Sequence, residues 1–170
     1  MKRVNFEFKA KLRNERVIRA ALKRLRAKYL GTDRQVDTYL QVPRGRLKVR
    51  EGKIENALIF YDRSNSPRPR RAKIEMMLLP RRNSLKALLA KALGVKIIVD
   101  KRREIYFVGN VKVHLDRVRG LGRFVEVEAV SRSGDVAQAR QQALKFRKLF
   151  GIARADIVGQ SYSDLKESRH

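Results

Sequence analysis

The sequence predicts an α+β fold in which about eight strands, mostly antiparallel, close into a tunnel with helices packed on the outside. Three features of the 170-residue chain lead there. Apolar and polar residues alternate through many short runs, the period of a strand with two unlike faces. Short turns join the runs, which favours antiparallel neighbours. The polar faces of several strands carry charges of both signs, while helical segments have apolar stripes that need the strands' apolar faces as cover. Residues 1–170 read as a single domain, without internal repeat or low-complexity tract.

The elements follow in order. Val4–Leu12 alternates, with Val4, Phe6 and Phe8 on one side and Asn5, Glu7, Lys9 and Lys11 on the other. Asn14-Glu15 opens a helical segment to about Tyr29, with Val17, Ile18, Ala21, Leu22 and Leu25 at helical spacing and Gly31 as its stop signal. Gln35–Val42 is expected as a strand, Pro43-Arg44-Gly45 as a turn, and Arg46–Glu51 as the partner strand of a hairpin. Ala57–Arg63 is the next strand. Ser64–Arg71 contains Pro67 and Pro69 and reads as an exposed loop near a tunnel mouth. Lys73–Leu79 is a short strand ended by Pro80. Asn83 or Ser84 caps a helix to Leu93, before Gly94. Strands are expected at Ile97–Val108, Val111–Val118 and Phe124–Val130, turning at Gly109-Asn110 and Gly120-Leu121-Gly122. A final helix runs from Asp135 to about Phe150, stopped by Gly151. The tail from Ile152 to His170 is expected to pack only in part.

Composition removes several chemistries. The chain has no cysteine, so disulfides, thiolate zinc sites and cysteine nucleophiles are excluded. His114 and His170 are the two histidines, which leaves little for a His-based metal centre or a Ser-His-Asp relay. A metal here should therefore be a hard cation held by carboxylates. No apolar stretch approaches the roughly 20 residues of a membrane span, and the N-terminus shows no signal-peptide pattern. The expectation is a cytoplasmic protein without a membrane partner. With 42 Lys+Arg against 17 Asp+Glu, the formal net charge is +25, which attracts polyanions such as RNA or polyphosphate.

Position says more than the total. Lys48 and Arg50 share one strand face, as do Lys101 and Arg103, His114 and Asp116, and Glu126 and Glu128. An open sheet would simply solvate such faces. A closed barrel would bring them together, and two cations about 6 Å apart at an effective dielectric near 20 repel by roughly 3 kcal/mol. A polyphosphate with a divalent cation would neutralise both sets of charge. Carboxylates at i and i+2 of a strand can share one hard cation.

Five segments carry a resemblance: N-F-E-F-K (Asn5–Lys9), D-T-Y-L-Q-V-P-R-G-R-L-K-V-R-E (Asp37–Glu51), K-R-R-E-I-Y (Lys101–Tyr106), H-L-D-R-V-R-G-L-G-R-F-V-E-V-E (His114–Glu128) and S-Y-S-D-L (Ser161–Leu165). Together they resemble the CYTH family, or triphosphate tunnel metalloenzymes, which contains class IV adenylate cyclases, thiamine triphosphatases and inorganic triphosphatases. The resemblance extends over nearly the whole chain and implies an antiparallel tunnel open at both ends. It implies that Glu7, Asp116, Glu126 and Glu128 hold Mg²⁺ or Mn²⁺. Lys9, Lys48, Arg50 and Arg103 would grip the phosphates, helped by Lys101 and Arg63, with Lys9, Arg50 and Arg103 catalytic. Two departures stand out: Asn5 occupies the first glutamate position of the E-x-E-x-K signature, and Leu58–Arg63 lacks the lysine that many triphosphatases carry there to activate water. Tyr39 and Tyr106 read as packing residues, His114 as a structural hydrogen-bonding residue, and Asp62 as the partner of a nearby arginine.

The function so implied is metal-dependent hydrolysis of a triphosphate, whether inorganic tripolyphosphate, thiamine triphosphate or ATP. One alternative is class IV adenylate cyclase, which makes cyclic AMP and pyrophosphate from ATP with nearly the same side chains. The other is a non-catalytic RNA or polyphosphate binder that uses the basic exterior. A homodimer is a further expectation.

Overall fold

The structure is a computed structural model that describes residues 2–62, 70–131 and 136–169, with side chains except at 2–5, 70–73 and 136. The chain runs β1 (Lys2–Lys11), α1 (Glu15–Arg24), β2 (Lys28–Leu40), β3 (Arg46–Glu51), β4 (Ala57–Asp62), β5 (Arg70–Leu78), α2 (Leu85–Leu93), β6 (Val95–Val108), β7 (Val111–Val118), β8 (Gly122–Ser131), α3 (Val136–Leu149) and α4 (Tyr162–Glu167), with a 3-10 turn at Arg154–Asp156. The eight strands form a closed barrel in the order β1-β5-β4-β3-β2-β6-β7-β8, and β8 pairs back onto β1. Every pairing is antiparallel.

The apolar faces of β1, β7 and β8 point outward and are covered by α1 and α3. Phe6, Phe8, Val113, Val125 and Val127 pack there against Ile18, Leu22, Ala143 and Phe146. This cover is what turns the charged faces inward. Val17, also at helical spacing, stays 41% exposed at the edge of the stripe.

Several boundaries differ from expectation, among them the start of β5, where Arg70 and Arg71 of the expected loop are strand because they pair with Glu7 and Phe6 of β1. The α1 helix ends at Arg24, five residues before Tyr29, because the chain closes a Schellman motif there: Arg26 N–H donates to Lys23 O and Ala27 N–H to Leu22 O. Arg26 takes the left-handed position (φ 49°) usually given to glycine. Gly31, expected as a helix stop, instead lies inside β2 at a register shift against β6. That long pairing draws the chain from Lys28 onward into the sheet. The tail also packs more fully than expected. Ala10 bridges Ile157, Val158 N–H donates to Lys9 O, and Ser161 caps α4 through a reciprocal box with Asp164. Residues 63–69, with Arg63 and most of the expected Pro/Arg loop, lie outside the described residues, as does Asp135. Among the described residues, no helix is long and apolar enough to cross a membrane.

Candidate active site

The barrel encloses a cavity of about 290 Å³. Because side chains alternate along a strand, each strand offers every second residue to it. Glu7 and Lys9 enter from β1, Asp37 and Tyr39 from β2, Lys48 and Arg50 from β3, Lys101 and Arg103 from β6, His114 from β7, and Glu126 and Glu128 from β8. Val99, Val118, Phe124 and Tyr162 form an apolar cluster with Tyr39, Ile59 and Tyr61 of the cavity wall, and Leu78, 73% exposed, also lines the cavity.

At the centre stands Asp37, which the sequence reading left without a role. Its carboxylate accepts from Lys48 Nζ at 2.8 Å, Lys101 Nζ at 2.6 Å, and Arg50 Nε and Nη2 at 2.7 and 2.9 Å. Burial alone would raise the Asp37 pKa, but Arg50, Lys101 and Lys48 hold it well below the usual carboxylate range. Three cations share this one carboxylate. Burial, with Arg50, Arg103 and Lys48 nearby, therefore outweighs Asp37 at Lys101 and pushes its ammonium down to about 7.

Glu55, also missed, sits at the other side of Arg50. It comes from the β3–β4 loop, accepts from Arg50 Nη1 at 2.8 Å and pairs with Lys112. Buried Asp33 holds this loop in place, accepting from the backbone N–H groups of Lys53 and Glu55. Gly52 is needed because any side chain there would collide with the Asp33 carboxylate.

The second cluster lies on β6–β8. Arg103 donates to both oxygens of Asp116 at 2.7 and 2.6 Å, and to Glu126 Oε2 at 2.6 Å. The Tyr162 hydroxyl donates to Asp116 as well, at 2.7 Å. Lys9 lies 3.7 Å from Glu126, donates to Gln160 O and packs over the Tyr162 ring. His114, Glu126 and Glu128 bring one ligand atom each within 4.8 Å of one another. His114 does not make the structural hydrogen bond expected of it. It is buried, neither ring nitrogen has a hydrogen-bond partner among the described residues, and Nδ1 stands 3.7 Å from both carboxylates. Burial and Arg103 lower its pKa, which favours the neutral ring with a lone pair to offer. Burial would raise the Glu126 pKa, yet the charges of Arg103 and Lys9 hold it well below the usual range. Two carboxylates and an unsatisfied neutral imidazole fit a divalent cation.

The sequence-predicted residues thus divide into groups. Lys48, Arg50 and Lys101 meet around Asp37, while Lys9, Arg103, Asp116 and Glu126 meet in the adjoining cluster, with Lys101 and Arg103 two residues apart on β6. Glu7 lines the same cavity, opposite Glu128 in the β1–β8 register. Asp116 is engaged by Arg103 and Tyr162, and the side chains of Asn5 and Arg63 lie outside the described residues. Asp62 pairs with Arg44 as expected, and Tyr106 belongs to an exterior network with Arg19 and Glu104. Tyr39 packs inside, its hydroxyl 3.3 Å from that of Tyr61.

A family model described as CYTH domain matches residues 4–162. A protein of Methanocaldococcus jannaschii, named as a candidate adenylate cyclase, is 30% identical over 79 residues, a match spanning 45% of each chain. Among solved structures, a protein of Pyrococcus horikoshii OT3 superposes with a TM-score of 0.80 at 21% identity, over 95% of this chain and 98% of that one. A candidate adenylyl cyclase of Hippeastrum, described as having a dominant triphosphatase activity, superposes with a TM-score of 0.65 at 13% identity, over 99% and 96% of the two chains. At these identities the structural likeness is one of fold.

Proposed function

The chain belongs to the CYTH domain family, and from that premise we propose that it is a metal-dependent phosphohydrolase acting on a triphosphate held in the barrel interior. One observation carries the reading: a cluster of buried cations around Asp37 faces the same cavity as the acidic and imidazole cluster of His114, Glu126 and Glu128. Lys48, Arg50 and Lys101 would exchange Asp37 for phosphate oxygens, and the guanidinium of Arg50 can bind two oxygens at once. Lys9 and Arg103 reach toward the acidic arc, where they would stabilise the charge that grows as the terminal phosphoryl group leaves. Glu126, Glu128 and His114, with Glu7 beside them, would hold Mg²⁺ or Mn²⁺, which supplies Lewis-acid neutralisation of phosphate charge when bound. Asp116 would orient that guanidinium through its two hydrogen bonds from Arg103 and complete the ligand set with a remaining lone pair.

A second reading, adenylate cyclase, is favoured by the name of the Methanocaldococcus relative. In that case the same cations would hold ATP while its 3′-hydroxyl attacks the α-phosphorus and pyrophosphate leaves.

The test is incubation with tripolyphosphate, ATP and thiamine triphosphate under Mg²⁺ or Mn²⁺, with identification of products. Orthophosphate is expected, and cyclic AMP with pyrophosphate would favour the second reading. Glu126→Gln should lower metal-dependent turnover by about 100-fold. Turnover that survives this change would remove Glu126 from the site. No turnover of any triphosphate, with salt-sensitive RNA binding, would favour a non-catalytic binder.

A further inference from the structure

We infer that the chain binds single-stranded RNA on the outside of the barrel, with phosphates along one row of arginines and a base on Tyr29. This surface lies apart from the cavity and does not depend on the reaction proposed there. A net charge of +25 attracts polyanions in general, but strand register gives them one place. Arg34 lies opposite Arg102 in the β2–β6 pairing, Arg102 opposite Arg117 in β6–β7, and Arg117 opposite Arg123 in β7–β8. Lys101, Arg103, His114, Glu126 and Asp37 face the cavity, so alternation turns these four arginines outward, and all four are exposed. Four adjacent strands thus carry one arginine each, in a row about 14 Å long.

Like charges directly opposite one another weaken a sheet. The ends of the row are relieved, Arg34 by Asp100 and Arg123 by Glu15. The middle is not, because Arg102 and Arg117 form no ion pair among the described residues. Both border a groove of about 180 Å³ lined by α1 and β6–β8. Glu15 and Glu104 also line it, but Arg19 engages both. A guanidinium fork binds two oxygens of one phosphate, so a phosphodiester chain that crosses the strands meets a donor on each and supplies the missing counter-charge. An aromatic platform adjoins the groove. Tyr29, 52% exposed, has its ring centre 5.0 Å from that of Tyr106, whose hydroxyl accepts from Arg19 Nη1. Tyr106 follows Arg102 on the outer side of β6, about 13 Å along the strand. An exposed ring beside a basic groove is the pairing that holds unstacked bases. A duplex hides its base faces and an acidic peptide has none, so the ring favours a single strand, and the abundant single strand of a cell is RNA.

Fluorescence anisotropy with a labelled oligouridylate of about 12 nucleotides, taken over a salt series, tests this. Arg102→Gln combined with Arg117→Gln should weaken binding by about tenfold or more at low salt. It should also reduce the slope of log affinity against log salt by about 1.4, at about 0.7 for each lost phosphate contact. Tyr29→Ala should weaken binding by about tenfold with the slope unchanged. Lys91→Gln combined with Lys145→Gln removes the same charge from exposed sites on α2 and α3 and should leave affinity within about twofold. The double arginine variant should melt no lower than the wild type, because it relieves like-charge neighbours. Equal losses from the lysine pair and the arginine pair would overturn the inference, as would an affinity unmoved by Tyr29→Ala. Duplex RNA or polyglutamate bound as tightly as the single strand would overturn it too.

Discussion

Asp37 shares one carboxylate among three cations, and that arrangement decides how the phosphate-facing side chains behave before an anion enters. It lets Lys48, Arg50 and Lys101 approach one another in a desolvated space. Replacing it with asparagine leaves buried charges without a counter-charge, a loss of about 3–5 kcal/mol. Asp37→Asn should therefore melt below the wild type, and tripolyphosphate should raise its melting temperature by more than it raises the wild type's, because the ligand supplies the missing charge. Equal shifts in the two proteins would count against this hub. Lys101 adds a pH dependence. Its folded pKa of about 7 lies below the ~10.4 of an unfolded lysine, so between these values the unfolded chain binds more protons. The stability contribution of this group accordingly rises from about pH 7 to about pH 10, and the penalty is complete below pH 7. A triphosphate beside Nζ favours the ammonium, so binding at pH 8 should take up a proton and affinity should fall as pH rises past 7. Calorimetry in buffers of different ionisation enthalpy measures this, with Lys101→Met as the control for protons taken up by the phosphate itself. Identical uptake by variant and wild type would refute it. The sequence held a partial signal for Asp37, because Gln35, Asp37 and Tyr39 alternate on one face like the other charged strands. No local pattern shows that Lys101, 64 residues further on, closes on the same carboxylate.

Elements were legible where a period persisted. β3 and β7 match the ranges read from alternation, and α2 and α3 fall close to theirs, because Gly94 and Gly151 stop them where expected. Reading failed where sheet pairing overrode local preference. The stretch Lys28–Arg34 has no clean alternation, yet β6 pairs with it and makes it strand. Glu55 lies in a loop, where no period exists to mark it. The tail had a signal in the S-x-x-D spacing of Ser161 and Asp164, which forms the capping box that sets α4 against the barrel. The end of α1 offers a test at this scale. Arg26 holds a left-handed conformation that costs an L-residue roughly 1–2 kcal/mol and glycine almost nothing. Arg26→Gly should therefore raise the melting temperature by an amount equivalent to roughly 1 kcal/mol, less the added freedom of the unfolded chain. A fall in melting temperature would mean that the Arg26 side chain stabilises the turn in some other way.

Over the whole molecule, the net charge of +25 and the charge of the cavity are separate quantities. Among the described residues lining the cavity are six cations (Lys9, Lys48, Arg50, Lys101, Arg103, Lys112) and five carboxylates (Glu7, Asp37, Glu55, Glu126, Glu128), so the excess positive charge sits elsewhere. This separation predicts two salt responses in one protein. An exterior that binds RNA through phosphate contacts releases counterions, and its affinity should fall steeply, on the order of 10³-fold between about 50 and 200 mM salt. The cavity is nearly balanced and partly desolvated, so bulk ions screen it less. The KM for a triphosphate should therefore change only a few-fold over the same range. Glu126→Gln should keep the RNA binding while it loses turnover, and saturating RNA should leave wild-type turnover uninhibited. Competition between RNA and the triphosphate, or parallel salt slopes for the two, would show that both anions use one surface and that the barrel interior is not insulated from the charge around it.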